Sequence, residues 1–150
     1  MYPTMENCLF RYNDWFASSA NYPVTDRNYR GSASANNLVH GGSTWRYVTV
    51  ENSYTAGIFA GYRSLTEYCR LENLYDWCDC SGIQRNGHNT VLSTTRYCWR
   101  LNGARNGIRF NSKCGGNNAD IHHVVSLGGK RGFRLKGDFH DAYHLLAFDN

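Results

Sequence analysis

Proline is nearly missing from this 150-residue chain, with Pro3 and Pro23 the only two, and lysine is almost as scarce. Three of the 16 basic residues are Lys (Lys113, Lys130, Lys136) and thirteen are Arg. No segment approaches the roughly 18 consecutive apolar residues of a membrane-spanning helix, which excludes that class of membrane protein. The opening "MYPTMENCLFRYNDWF" has neither a basic leader nor a long apolar stretch, so no signal peptide is expected. No N-x-S/T sequon is present either. Together these absences predict a cytoplasmic or virion-associated protein with no membrane partner. Charge is also sparse, at 19% of residues. Tyr, Asn, Gly, Ser and Thr take its place, which favours strands and turns over long solvated helices.

What is present bounds the class. The length suits a single domain, 1–150, with enough chain to bury a core. The net charge is +4. Arginine makes planar, bidentate contacts to phosphate and guanine edges, so the bias points to nucleic acid as much as to a solubilised Tyr-rich surface; of nucleic acids, DNA is expected over RNA. Six cysteines (8, 69, 78, 80, 98, 114) make an even number. Without a leader, free thiols are the first expectation, with disulfides or a zinc site from Cys78, Cys80, Cys98 and Cys114 as alternatives. No C-x-x-C pair supports the zinc site.

Along the chain, "STWRYVTVEN" (43–52) alternates like a strand, with "AGIFAGYRS" (56–64) as its expected hairpin partner. "SLTEYCRLENLYDWC" (64–78) predicts a central helix. Ser64 and Glu67 have capping-box spacing, and Leu65, Tyr68, Leu71, Tyr75 and Cys78 trace one face. "NTVLSTTRYCWRL" (89–101) predicts a strand, "NGARNG" a turn and "IRF" (108–110) its return. The recurring Asn-Gly of that turn is the one repeat taken from the sequence. "DIHHVVSL" (120–127) and "GFRLKG" (132–137) predict two strands, and "DFHDAYHLLAFDN" (138–150) a helix with Asp138 as N-cap. The expected fold is α+β. A strand-rich part with one helix (1–107) would serve binding or assembly, and a C-terminal ββα-metal-like unit (108–150) would carry chemistry.

The histidines shape the functional expectation. His122 and His123 are adjacent on a predicted strand, so they should face opposite ways. His140 and His144 are four apart on the predicted helix, so they should lie one above the other. One imidazole could then take a proton while the others hold a cation beside a phosphodiester. "CGGNNADIHHVVSLGG" and "HDAYHLLAF" together resemble the HNH family of ββα-metal endonucleases over residues 108 to 150. The resemblance puts Cys114 at a knuckle position, His123 at the general base and His122 at a metal ligand. One alignment puts His144 on the family's central Asn. The alternative, similar to the DNase-colicin branch, makes His140 and His144 the H-x-x-x-H of the helix. Under it the Asn position falls near Arg131 or Gly132, where no Asn stands.

The implied activity is hydrolysis of nucleic-acid phosphodiesters with one divalent ion (Mg²⁺, Mn²⁺ or Zn²⁺). His122, His140 and His144 would be the ligands, His123 the base, and Arg131 and Arg134 the phosphate clamp. A second reading is a non-enzymatic viral or phage structural or receptor-binding protein, forming a homo-oligomer or a virion assembly. "LVHGGSTW", "AGIFAGYR" and "GARNGIRF" faintly resemble C-type-lectin-like folds, and a surface rich in Tyr, Asn and Ser suits binding. Two smaller features are "QRNGHN" (84–89), which distantly resembles another ββα-metal branch at His88, and "LFRYNDWF" (9–16), whose aromatics could stack bases.

Overall fold

The computed structural model describes residues 3–12, 42–53, 57–59, 61–74, 81–86, 91–103, 106–111 and 118–150. Among them are thirteen strands and no helix. The strands are β1 (Thr4–Glu6), β2 (Leu9–Arg11), β3 (Thr44–Arg46), β4 (Thr49–Glu51), β5 (Ile58–Phe59), β6 (Leu65–Glu67) and β7 (Arg70–Leu74). They continue with β8 (Ser81–Asn86), β9 (Thr94–Gly103), β10 (Asn106–Asn111), β11 (Asp120–Leu127), β12 (Arg131–Leu135) and β13 (Asp141–Phe148).

Every strand pairing is parallel and in register. One position of each pass sits on the same position of the pass before it. Met5, Trp45, Thr66, Thr95, Ile121 and Ala142 form one such column. Phe10, Val50, Leu71, Arg100, Ser126 and Ala147 form another. Parallel pairing of successive passes, each stacked on its neighbour, is the arrangement of a β-solenoid. A nine-stranded sheet carries two faces of the coil, and β12-β10-β8-β5 form a second, four-stranded sheet.

Three lines of left-handed residues bend each pass. The first line is Gly42, Arg63, Leu92, Asn118 and Phe139. The second is Asn7, Tyr47, Tyr68, Tyr97, His123 and His144, and the third is Tyr12, Asn52, Asn73, Asn102, Gly128 and Asp149. Within a pass the corners are five residues apart, so the arc between them is short and its shape is the same each time. The left-handed region costs an ordinary L-residue about 1–2 kcal/mol. Asn tolerates it best, and Asn73 Nδ2 donates to Asn52 Oδ1 at 3.3 Å along the third line. Backbone hydrogen bonds continue through the bends: the Tyr47, Tyr68 and Asn52 amides donate to the carbonyls of Glu67, Arg96 and Glu72.

Inside the coil, Trp45, Val48, Val50, Cys69, Leu71, Cys98, Ile121 and Val124 are buried from the nine-stranded sheet, and Ile58, Ile83, Ile108 and Phe110 from the four-stranded one. Each such aliphatic side chain contributes roughly 1.5–3 kcal/mol on burial. The core also holds the fully buried Arg85. Its guanidinium donates to Ser64 Oγ, Thr66 Oγ1 (3.2 Å), Thr95 Oγ1 (3.0 Å) and the carbonyls of Gly61 and Thr94 (3.1 Å each). Burial pulls the Arg85 pKa down to about 10, still charged at neutral pH.

Several expectations are overturned. The fold is not α+β. Within 64–78, expected as the central helix, residues 65–74 are β6, a corner at Tyr68 and β7. Ser64 caps nothing; its hydroxyl donates to the Gly61 carbonyl at 2.5 Å. Tyr75 and Cys78, on the supposed helix face, lie outside the described residues. Residues 138–148 are not a helix either: Asp141–Phe148 runs extended as β13, paired with β11. With no helix there, the ββα unit over 108–150 does not exist. The strand expected at 43–52 is two strands bent at Tyr47, and Ile58–Phe59 pairs in parallel with β8 instead of closing a hairpin. The segment 108–110 lies within β10, which pairs with β8 and β12 and does not return along β9. The strands expected at 120–127 and 132–137 are present as β11 and β12. No helix among the described residues is long and apolar enough to cross a membrane.

Candidate functional site: a tyrosine and imidazole corner

The second line of corners places five rings in one row on the outside of the coil. Tyr47 stacks on Tyr68 (centroids 5.1 Å, planes 15° apart), and Tyr68 on Tyr97 (5.1 Å, 9°). His123 continues the row at 5.0 Å from Tyr97, and His144 meets His123 at 4.5 Å and 71°. The repeat distance of a parallel sheet, about 4.8 Å, dictates this stacking once each corner carries a ring. Because the tyrosine faces cover one another, ring edges and hydroxyls are what solvent meets. Tyr47 is 50% exposed and Tyr68 39%.

One position before the corner runs a column of charge: Glu6, Arg46, Glu67, Arg96, His122, Tyr143. Glu67 is buried and accepts from Arg46 Nε at 2.5 Å and from Arg96 Nε at 2.7 Å. Burial raises its pKa, but the hydrogen bonds from Arg46 and Arg96 outweigh that and leave it below the ordinary value near 4.5. Beyond the corner the shared column runs Leu9, Thr49, Arg70, Trp99, Val125 and Leu146; the exposed Trp99 and Leu146 give the Tyr97–His144 end of the row an apolar flank, and Arg70 stands beside Tyr68.

The imidazole end of the row has its own geometry. His122 and His123 do not face opposite ways, as a regular strand would have them. His123 is left-handed (φ 53°), which swings its ring towards its neighbour and brings His122 Nδ1 within 2.7 Å of His123 Nδ1. His144 Nδ1 lies 3.0 Å from His123 Nε2. His122 is buried, stacks on Tyr143 (4.8 Å, 11°) and has Nε2 3.5 Å from Asp120 Oδ2. Desolvation by its neighbours lowers the His123 pKa, and His144 and His122 act the same way. Desolvation, followed by Asp120, raises that of Tyr143.

His140 stands apart from this trio. Its Nδ1 accepts from the Ala119 amide (3.2 Å) and its Nε2 lies 3.0 Å from the Lys136 carbonyl, so both nitrogens are committed. Its ring meets Phe110 edge-on at 5.4 Å. The expected ligand set of His122, His140 and His144 is therefore not assembled as one cap. His122 and His144 each meet His123 through a ring nitrogen. Arg131 and Arg134 sit on β12, in the other sheet. No group of three or more His, Cys, Asp or Glu among the described residues is arranged to hold one ion. Cys8, Cys69 and Cys98 are free thiols, and burial pushes Cys98 well above the usual thiol range. Cys78, Cys80, Cys114 and His88 lie outside the described residues.

The signal that would have found the corner is in the sequence. "STWRYV" (43–48), "SLTEYC" (64–69) and "STTRYC" (93–98) share a small residue, a buried residue two later, a ring at the fifth position and an apolar residue at the sixth. "ADIHHV" (119–124) and "HDAYHL" (140–145) keep the spacing with imidazole as the ring. No protein-family model matches the chain, and no curated protein or solved structure shows significant similarity to it.

Proposed function

We propose that this chain is a non-enzymatic structural or receptor-binding protein whose contact face is the row Tyr47, Tyr68, Tyr97, His123 and His144. The observation that carries the reading is the row itself: five rings in register along the outside of the coil, four exposed and Tyr97 half-buried, on a backbone conformation that costs ordinary residues energy. Strained positions of this kind recur where function needs them. The row offers hydroxyls and ring edges at a fixed repeat, with Trp99 and Leu146 as apolar flank. An extended ligand with its own repeat, such as a glycan chain, meets such a row at several points at once. Base stacking is disfavoured, because the tyrosine faces are already taken.

The test is binding of the full chain to a panel of immobilised polysaccharides, wild type against Tyr68→Phe and Tyr47→Phe. Both variants keep the stack and remove only the hydroxyls. A loss of at least tenfold supports the row as contact face, and unchanged binding to every ligand sinks it. Metal-dependent hydrolysis of nucleic acid retains one favourable observation, the meeting of His122, His123 and His144. Plasmid nicking by wild type against His123→Ala, with Mg²⁺, Mn²⁺ or Zn²⁺, decides it: activity lost in the variant supports hydrolysis, and no activity in either removes it.

A further inference from the structure

We infer that His123 and His144 form a binding site for a divalent transition-metal ion of square-planar or octahedral preference, Cu²⁺ or Ni²⁺, bridging the last two passes of the coil. The spacing of the donors carries the argument. His123 Nε2 and His144 Nδ1 are 3.0 Å apart. With metal–nitrogen bonds of about 2.1 Å, two donors at a right angle lie about 3.0 Å apart, whereas a tetrahedral ion sets them about 3.4 Å apart. The two nitrogens are thus close enough for one ion to take both as neighbouring corners of a square once the His144 ring turns, the geometry of Cu²⁺ and Ni²⁺ with nitrogen and oxygen ligands. Both side chains are exposed, so water can complete the shell.

A short relay sets the tautomer that the ion requires. His122 Nε2 faces Asp120 Oδ2 at 3.5 Å, which favours the proton on that nitrogen. His122 Nδ1 is then an acceptor, and His123 Nδ1–H donates to it across 2.7 Å. A neutral imidazole has one lone-pair nitrogen, so His123 is left with its lone pair on Nε2, aimed at His144. When the ion enters, His144 moves its single proton from Nδ1 to Nε2, and its ring turns about Cβ–Cγ so that the two lone pairs converge off the line joining them. No net proton is lost. The donors come from different passes held by the pairing of β11 with β13, with His122 opposite Tyr143 and Val124 opposite Leu145. The frame is therefore built before the ion arrives. Asp120 and His122 are positioning residues in this scheme and do not touch the metal.

The experiment is titration of the full chain with Ni²⁺, Cu²⁺ and Zn²⁺ by calorimetry, with electron paramagnetic resonance of the Cu²⁺ form. One equivalent is expected, with Ni²⁺ bound more tightly than Zn²⁺ and two imidazole nitrogens coupled to Cu²⁺. His123→Ala and His144→Ala should each weaken Ni²⁺ at least tenfold. Removing the orienting ring with His122→Phe should weaken it by a smaller factor. His144→Gln, a conservative change at an exposed corner, should weaken Ni²⁺ as much as His144→Ala does. Nickel should raise the melting temperature of wild type and leave that of both alanine variants unmoved. Undiminished binding in those variants, a single coupled imidazole, or tighter Zn²⁺ than Ni²⁺ would each overturn the site.

Discussion

The two ends of one corner line differ although their backbones do not. Tyr47, Tyr68 and Tyr97 have φ of 52–53°, and His123 and His144 have 53° and 51°. At the tyrosine end the rings lie nearly parallel and bury each other's faces. At the histidine end His123 and His144 turn edge-on and meet through nitrogens at 3.0 Å, and His123 reaches the neighbouring His122 at 2.7 Å. The same scaffold position thus supplies cohesion in one place and donor atoms in another. The difference lies wholly in the side chain: a phenol has only its face and a terminal hydroxyl to offer, whereas an imidazole carries lone pairs on the ring itself.

Removing a ring tests this contrast most strongly. Tyr68→Ala loses two stacking partners at once and should destabilise the chain by about 2–3 kcal/mol. His144→Ala, at the exposed end, should cost under about 1 kcal/mol. Chemical denaturation of the two variants side by side measures the gap, and equal losses would show that stacking does not distinguish the ends.

A smaller effect is expected from the charge column beneath the tyrosines. Glu67→Gln should cost about 1–2 kcal/mol at neutral pH, less than the loss of a fully buried pair, because both arginines are more than a third exposed. The pH dependence has a definite sign. The folded pKa of Glu67 lies below its unfolded value near 4.5, so its contribution is present above that pH and is lost as pH falls through the folded value. Melting temperature against pH should therefore fall less steeply below about 4.5 in the variant than in wild type. Parallel curves would remove Glu67 from the account.

The mildest change crosses the boundary between the ends. His123→Tyr extends the stack by one ring and should leave stability unchanged or raise it by up to about 1 kcal/mol. It should also abolish nickel binding. A variant that keeps the metal site would break the division of labour drawn here.

How legible this was depended on the segment. "DIHHVVSL" is β-branched and apolar, and it reads as the strand it is. The segment 64–78 misleads for a physical reason. A left-handed residue inside an extended run shifts the phase of alternation, so the inward residues of one pass are Ser64, Thr66, Cys69 and Leu71. Spacings of two and three alternate there and, with Leu74 buried next, imitate a helical stripe. The last pass misleads in the same way: Phe139 and His144, read as helical positions, are corners. The imidazole pair was visible as unusual, but its geometry was not, because opposite facing holds only while the backbone stays extended.

By itself the sequence determined the strand-rich, turn-rich character of the chain, the extended run around His122 and His123, and a ring at five of the six corners of one line. Tertiary structure alone decided that successive passes stack in parallel register, and therefore which rings touch. Residues 21 to 29 apart along the chain, such as Tyr68 from Tyr97, become neighbours only when the coil closes. Local propensity acts over a few residues and cannot specify that distance; the shared burial of the columns and the repeat of the backbone hydrogen bonds do.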